Sequence, residues 1–253
     1  MRQPLRRLYL LYHELRPGGS SYSYIVGTEM FERHADLYVQ LRGPGADVWP
    51  EITFDDGHIS NIEFAAPILQ SRGLTARFFI TVGWTGKKAG YMGWPELRAL
   101  HAGGHAIGAH GWTHTLLTHC SEKELQMELG DARLALEDQL GASITTMSLP
   151  GGRYNRRVLS ACAEAGYTQI YTSIPRAEAS LDGSLVGRLN IRGDRELGWI
   201  ESLFAADGNV LSSLGRQYRM KEAAKALLGD RMYAKLWAAL NRQEPDGDGA
   251  DSV

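Results

Sequence analysis

Two cysteines, Cys120 and Cys162, are all that this 253-residue chain offers, and the pattern around each is helical. A disulfide framework is therefore not expected, and a reducing compartment is the simpler setting. Cys120 follows His119, but a lone helix cysteine reads first as a packing residue rather than a metal ligand. An excess of one charge is also missing, with 27 basic against 29 acidic residues. No nucleic-acid partner is expected, because phosphate neutralisation needs a net basic face. Long apolar runs are absent too, and none approaches the roughly 20 residues that span a bilayer. Near the N-terminus, Arg6 and Arg7 precede the apolar run Leu8–Tyr12. That run is short, and His13-Glu14 follows with no small-residue cleavage site, so a signal peptide is not expected. The expectation is a cytoplasmic, soluble chain, with attachment to a membrane surface left open. What is present, 43% apolar and 22% charged residues, suits a globular protein with a real core.

Short apolar runs punctuate the sequence at Leu8–Tyr12, Val48–Phe54, Arg77–Val82, His105–Ala109, Thr145–Leu149, Gln169–Ser173 and Leu185–Ile191. Each reads as a buried strand. Helical spacing fills the gaps: Phe64, Ile68 and Leu69 in one, and Leu125, Leu129, Leu136 and Leu140 in another, behind the capping-box form Ser121-x-x-Glu124. Ala161 and Ala165, closed by Gly166, mark a further helix. Strand and helix in alternation predict an α/β fold with a parallel sheet of about seven strands, closed as a barrel or open and doubly wound. Binding loops should then follow the strands' C-terminal ends. The expected division is a catalytic domain over 1–211, a helical extension packed on it over 212–242, with helices at Met220–Leu228 and Asp230–Leu240, and a disordered tail over 243–253.

Two polar motifs interrupt the apolar pattern. Ile52-Thr-Phe-Asp55-Asp56-Gly57-His58 places adjacent carboxylates at a strand end, where the chain bends at Gly57 and both can face one cleft. By itself an Asp-Gly pair is a common turn. Gly104-His105-Ala-Ile-Gly108-Ala-His110-Gly-Trp-Thr-His114 ends a strand in two histidines four apart, a spacing that shares a face on one helical turn. Taken alone, an isolated H-x-x-x-H pair is more often two unrelated histidines. Two imidazoles and a carboxylate, with a position left for water, make a hydrolytic zinc set. The same donors suit Co2+, Ni2+ or Fe2+.

Thr53–Gly57 followed about fifty residues later by Gly-His-x-Ile-Gly-x-His-x-x-x-His resembles the polysaccharide deacetylase family, the NodB-homology or carbohydrate esterase family 4 domain. The similarity runs from about Leu8 to Ile191. The resemblance implies a distorted (β/α) barrel, Asp55 as general base, and Asp56, His110 and His114 as metal ligands. A third motif, Ser148-Leu-Pro150-Gly151-Gly152-Arg153-Tyr154-Asn155, matches in part. Gly151 stands where a backbone N–H helps bind an oxyanion, with Arg153 and Tyr154 beside it. The arginine that often orients the base is absent before Pro150, so Arg153, Arg188 and Arg192 compete for that task. The late Leu-x-His that supplies the acid in many members is also absent. Leu10-Leu-Tyr-His13 instead resembles circularly permuted members with the acid histidine on the first strand, which points to His13.

The implied activity is hydrolysis of the N-acetyl group of an N-acetylglucosamine-type oligomer, polymer or glycan precursor, with release of acetate. An O-acetyl esterase or cyclic amidase on the same scaffold, and a non-catalytic sugar-binding homologue, are the alternatives. His34, His58, His101, His105 and His119 read as packing or surface residues. Trp84, Trp94 and Trp112 offer faces that suit a sugar ring, but tryptophans are more often core and at most one of the three is expected to stack there.

Overall fold

The computed structural model describes residues 5–43, 46–180, 184–205 and 208–228. Among the described residues there are ten strands: β1 (Arg6–Tyr12), β2 (Glu14–Arg16), β3 (Ile25–Gly27), β4 (Val48–Phe54), β5 (Ala76–Ile80), β6 (Ala106–Ala109), β7 (Thr146–Ser148), β8 (Gln169–Tyr171), β9 (Leu185–Val186) and β10 (Arg188–Asn190). Eight of them form one sheet in the order β10-β1-β4-β5-β6-β7-β8-β9, and every pairing in it is parallel. The other two pair separately as β2-β3.

The two edge strands of the large sheet are consecutive in the chain. Leu185–Val186 pairs with β8, and after Gly187 the next three residues pair with β1. A single extended run thus belongs to both edges, so seven apolar runs produce an eight-strand ladder bent into a nearly closed barrel. Gly187 sits at the crossover because a Cβ there would lie 2.6 Å from the Ile174 carbonyl oxygen and 2.4 Å from the Arg176 side chain.

The strands are apolar on both faces, as expected of a parallel sheet under helices. Outward-facing Tyr12, Phe54 and Phe78 stack in series, and Phe31 of the helix Thr28–Leu41 packs against the first two. The inward face is mixed. Tyr9 meets Tyr171 edge-on across the barrel at 5.4 Å, and Phe79 packs on the same ring. Arg77 donates to Thr146 Oγ1 there, at 3.1 Å. An interior this polar needs partners for its charges, and the candidate site provides them.

Local structure departs from expectation in three places. The segment around Phe64–Leu69 begins as a π-helix, Asn61–Ala65, before becoming α-helical over Ala66–Gln70. The capping box forms at Ser121 and Glu124, but a π-turn over Gln126–Asp131 interrupts the helix behind it. The last helix among the described residues spans Asn209–Leu228, starting well before Met220. The chain divides into two compact units, Met1–Ser212 and Ser213–Val253. The expected helix over Asp230–Leu240 and the tail over 243–253 lie outside the described residues. Among the described residues, no helix is long and apolar enough to cross a membrane. Cys120 and Cys162 are buried and free.

Candidate metal centre and catalytic site

Asp55 and Asp56 follow β4 at the C-terminal rim of the barrel. Asp55 continues the strand's inward alternation behind Thr53, and its amide donates to the Tyr12 carbonyl of β1 at 3.0 Å. The carboxylate is 2% exposed and clamped. Arg188 donates from Nη1 to Oδ1 at 2.7 Å and from Nη2 to Oδ2 at 2.8 Å, and Ser148 Oγ donates to Oδ2 at 2.9 Å. Arg188 is itself fully buried, with further bonds to the Thr172 carbonyl and Ser148. Burial alone would raise the Asp55 pKa; the guanidinium outweighs it and holds the carboxyl below its usual range.

Asp56 turns out of the strand in the left-handed region, φ 74°, with Gly57 following at φ 85°. This conformation is uncommon for an Asp and marks a strained position. It turns Asp56 towards the histidines. His110 ends β6, and its Nδ1 donates to the Ser148 carbonyl at 2.8 Å. That bond fixes the tautomer and leaves the Nε2 lone pair facing the cleft.

His114 is not on a helical turn with His110, as the four-residue spacing suggested. Residues 110–116 form a loop, and His114 has φ 68°. Glu128 is what shapes this loop. Its fully buried carboxylate accepts from the amides of Trp112 (2.7 Å) and Thr113 (3.0 Å) and from Thr113 Oγ1 (2.6 Å). Three donors converging on one point call for an acceptor-only group. The π-turn brings Glu128 to that point. Glu128→Ala is expected to leave these donors unmatched and to weaken metal binding at least about tenfold, since hydrogen bonds to charged groups are worth about 1.5–3 kcal/mol each. Glu128→Gln should fall between. A metal titration of both variants checks this, and unchanged affinity would remove Glu128 from the argument.

The three side chains meet. His110 Nε2 lies 3.3 Å and His114 Nε2 3.4 Å from the same Asp56 oxygen, Oδ1. One ligand atom from each residue falls within 4.8 Å of the others. Asp56 Oδ1 is buried and receives no hydrogen bond. Acceptor atoms facing each other call for a cation between them. Edges of about 3.3 Å are those of a tetrahedron with bonds of about 2.0–2.1 Å, the range for zinc with nitrogen and oxygen donors, so the residues fit a divalent ion. The charge states of Asp56 and His114 suit a ligand set, whereas His110, facing two carboxylates, favours its proton until a cation replaces it. Asp56 lies well below the ordinary carboxylate range, because the histidines around it outweigh its burial. His114 is lowered to about 4 by burial and by His110, which leaves it a neutral ligand near pH 7. His110 is raised: burial opposes its charge, but Asp55 and Asp56 prevail.

His13 follows β1, next to β4 on the rim. Its Nδ1 is buried without a hydrogen-bond partner, and its ring meets Tyr24 edge-on at 5.2 Å. Burial lowers its pKa, with Asp56 and Asp55 acting in the opposite direction. Gly151, in left-handed geometry at φ 62°, stands on the 3-10 turn after β7, and Arg153 and Tyr154 lie half-buried beyond it. Of the three competing arginines, Arg188 is the one on Asp55.

Among the histidines read as structural, His34 is fully buried against Tyr12, and His105 Nδ1 accepts from the Ala76 amide. His101 and His119 are exposed. His58, half-buried, faces Glu14 and Ser60. Of the three tryptophans, Trp84 stands beside His114, ring centroids 5.2 Å apart. Ser148 and Glu128 were missed as site residues. Glu128 had a signal, since it shares the buried helix face of Leu125, Leu129 and Ala132, where a lone carboxylate needs partners.

A parallel barrel with a paired-histidine and carboxylate cluster at its C-terminal rim defines a candidate metallohydrolase scaffold. Residues 47–170 match the family model described as polysaccharide deacetylase, and over that segment the chain is similar to the polysaccharide deacetylase family. The Bacillus subtilis (strain 168) protein YxkH is 29% identical over 141 residues, 56% of this chain and 50% of its own length. Chitin deacetylase 1 of Cryptococcus neoformans is 29% identical over 128 residues, 50% of this chain and 26% of its own. The chain thus spans half or less of these curated relatives. Among solved structures, the Streptococcus pyogenes deacetylase PplD superposes with a TM-score of 0.69 at 20% identity, covering 80% of this chain and 100% of that one. IcaB from Ammonifex degensii gives 0.65 at 20% identity, over 75% and 93%. These last two bear on the fold. The matched segment contains Asp55, Asp56, His110 and His114, whereas His13 and Arg188 lie outside it.

Proposed function

We propose that this protein is a metal-dependent deacetylase that removes the N-acetyl group of an N-acetylglucosamine-type sugar and releases acetate. The observation that carries the reading is the convergence of Asp56, His110 and His114 on one point beside a buried, arginine-clamped Asp55. The names of its relatives, which include chitin deacetylases and a peptidoglycan-N-acetylglucosamine deacetylase, support the sugar class.

Asp56, His110 and His114 would hold the ion, with Zn2+ first and Co2+, Ni2+ or Fe2+ compatible with the same donors. Such an ion lowers the pKa of water and polarises the acetamide carbonyl. Asp55 takes the proton of the attacking water as general base. Its two bonds to Arg188 and one from Ser148 keep it ionised and fix its direction. A backbone N–H near Gly151, with Arg153 and Tyr154 alongside, faces the developing oxyanion. His13 protonates the departing nitrogen, which leaves poorly as an anion. A buried imidazolium gives up its proton readily, and the neighbouring carboxylates help it to form.

The test is metal content of the purified protein together with acetate release from short N-acetylglucosamine oligomers. About one divalent ion per chain with acetate release, both lost in His110→Ala, is the expected result. Metal without acetate from any acetylated sugar would overturn the activity, and absence of metal would overturn the centre. His13→Ala is expected to retain metal and slow turnover about 10²–10⁴-fold. A loss below about threefold would move the acid role elsewhere.

A further inference from the structure

The mouth of the site carries two cations that the proposed chemistry does not use. On one side, Lys88 Nζ lies 3.7 Å from the centroid of the Trp84 ring and 4.7 Å from that of Tyr91. Trp84 in turn contacts His114. On the other side, the Arg192 guanidinium lies 5.5 Å from the Tyr24 ring, and Tyr24 contacts His13. Both cations are exposed. Sheet order places these groups around the rim. Arg192 follows β10, His13 follows β1, Asp55 and Asp56 follow β4, and Trp84 follows β5. The two cations therefore flank the stretch of rim that holds the proposed acid, base and first metal ligand.

Each cation rests on an aromatic face that limits where it can go. Neither forms an ion pair among the described residues. The nearby carboxylates are already engaged: Glu14 with Arg16 at 2.7 Å, Asp194 with Arg195 at 3.8 Å, and Asp55 with Arg188. Lys87, also exposed, adds positive charge beside Lys88. A neutral pyranose stacking on Trp84 would have to displace the ammonium that covers this ring. An anion meeting Lys88 would leave it in place.

We propose that the substrate is anionic, an N-acetylated sugar with a phosphate or carboxylate beside the acetamido ring, received between Lys88 and Arg192. This proposal rests on the deacetylase reading for its orientation, and it makes both residues determinants of specificity. A sugar phosphate and a uronic acid neighbour offer the same chemistry, and the substrates of the test separate them.

The experiment compares kcat/KM for N-acetylglucosamine 1-phosphate, an N-acetylglucosaminyl-glucuronate disaccharide and the neutral methyl N-acetylglucosaminide, using the metal-loaded full chain. At least one anionic substrate is expected to exceed the neutral one by about tenfold or more at low salt, with the preference shrinking as salt rises. Lys88→Met and Arg192→Met should each reduce the anionic-to-neutral ratio about 3–10-fold. Arg98→Met, on the remote helix Trp94–Ala102, should leave it alone. A ratio near one, or one indifferent to both mouth variants, overturns the proposal. Calorimetric titration with N-acetylglucosamine 1-phosphate separates the two levels of the argument. Binding that weakens in both mouth variants supports the anion site even if no sugar is deacetylated, an outcome that would sink the activity alone. Binding absent from the native chain, or unchanged in both variants, overturns the anion site.

Discussion

Asp55→Asn is expected to bind the same ion as the native chain and to release acetate about 10²–10⁴-fold more slowly, the usual contribution of a positioned acid or base. The separation of effects follows from geometry. The two histidines meet on Asp56 Oδ1, and Asp56 reaches them through its own left-handed turn. Asp55 points inward and is held by Arg188 and Ser148. An amide in its place keeps shape and volume but cannot take a proton. Metal titration and acetate release on one preparation check both halves. Native turnover would remove Asp55 as the base, and lost metal would show that the two aspartates act as a single ligand set.

Arg188→Met is expected to destabilise the metal-free protein by about 3–5 kcal/mol, the range for leaving one partner of a buried pair uncompensated. Asp55 would then be a buried carboxylate with one remaining donor, Ser148. The pH dependence has a definite sign. In the native chain Asp55 is held below its ordinary value of 3.8, so the pair contributes stability above that pH and loses it as pH falls through the lower, folded value. In the variant the strongest counterweight to burial is gone, with only Ser148, His110 and His13 left to oppose it, so the carboxyl shifts upward and protonation relieves the penalty. The gap between variant and native chain should therefore narrow towards pH 4. Urea midpoints across that range measure it, in chelator so that bound metal does not mask the difference. Asp55→Leu added to Arg188→Met should recover part of the loss. A single variant within about 1 kcal/mol of native stability would mean that the pair is not the main support of this corner.

The parts of the site legible in the sequence are those whose chemistry is local. Asp55 and Asp56 are adjacent, His110 and His114 are four apart, and all four follow apolar runs that became strands. The ladder was legible for the same reason, since buried parallel strands read as continuous apolar runs. How His114 reaches Asp56 was not legible. Spacing alone suggests a helical turn, whereas a carboxylate fourteen positions downstream, Glu128, holds the loop by its backbone. Partners distant in sequence were legible only as a shortlist. Arg188 stood among three arginines, and burial on a strand facing the barrel interior is what selects it. The seven-run reading became an eight-strand ladder because no periodicity reveals that one run will divide its hydrogen bonds between two edges at Gly187.

That divided run has a consequence for how the protein is made. Its second half closes the barrel against β1, and it carries the guanidinium that neutralises Asp55, 133 residues earlier. At about 5–20 residues per second, ribosomal synthesis adds these 133 residues in roughly 7–27 seconds. Through that interval β1 keeps an open edge, and the Asp55 carboxylate lacks the guanidinium that offsets most of the cost of its burial. The nascent chain is thus discouraged from setting its catalytic corner before the last strand emerges. Contacts of such long sequence separation form slowly, and a chain ending before Leu185 would keep the proposed metal ligands while lacking the strand that completes the barrel.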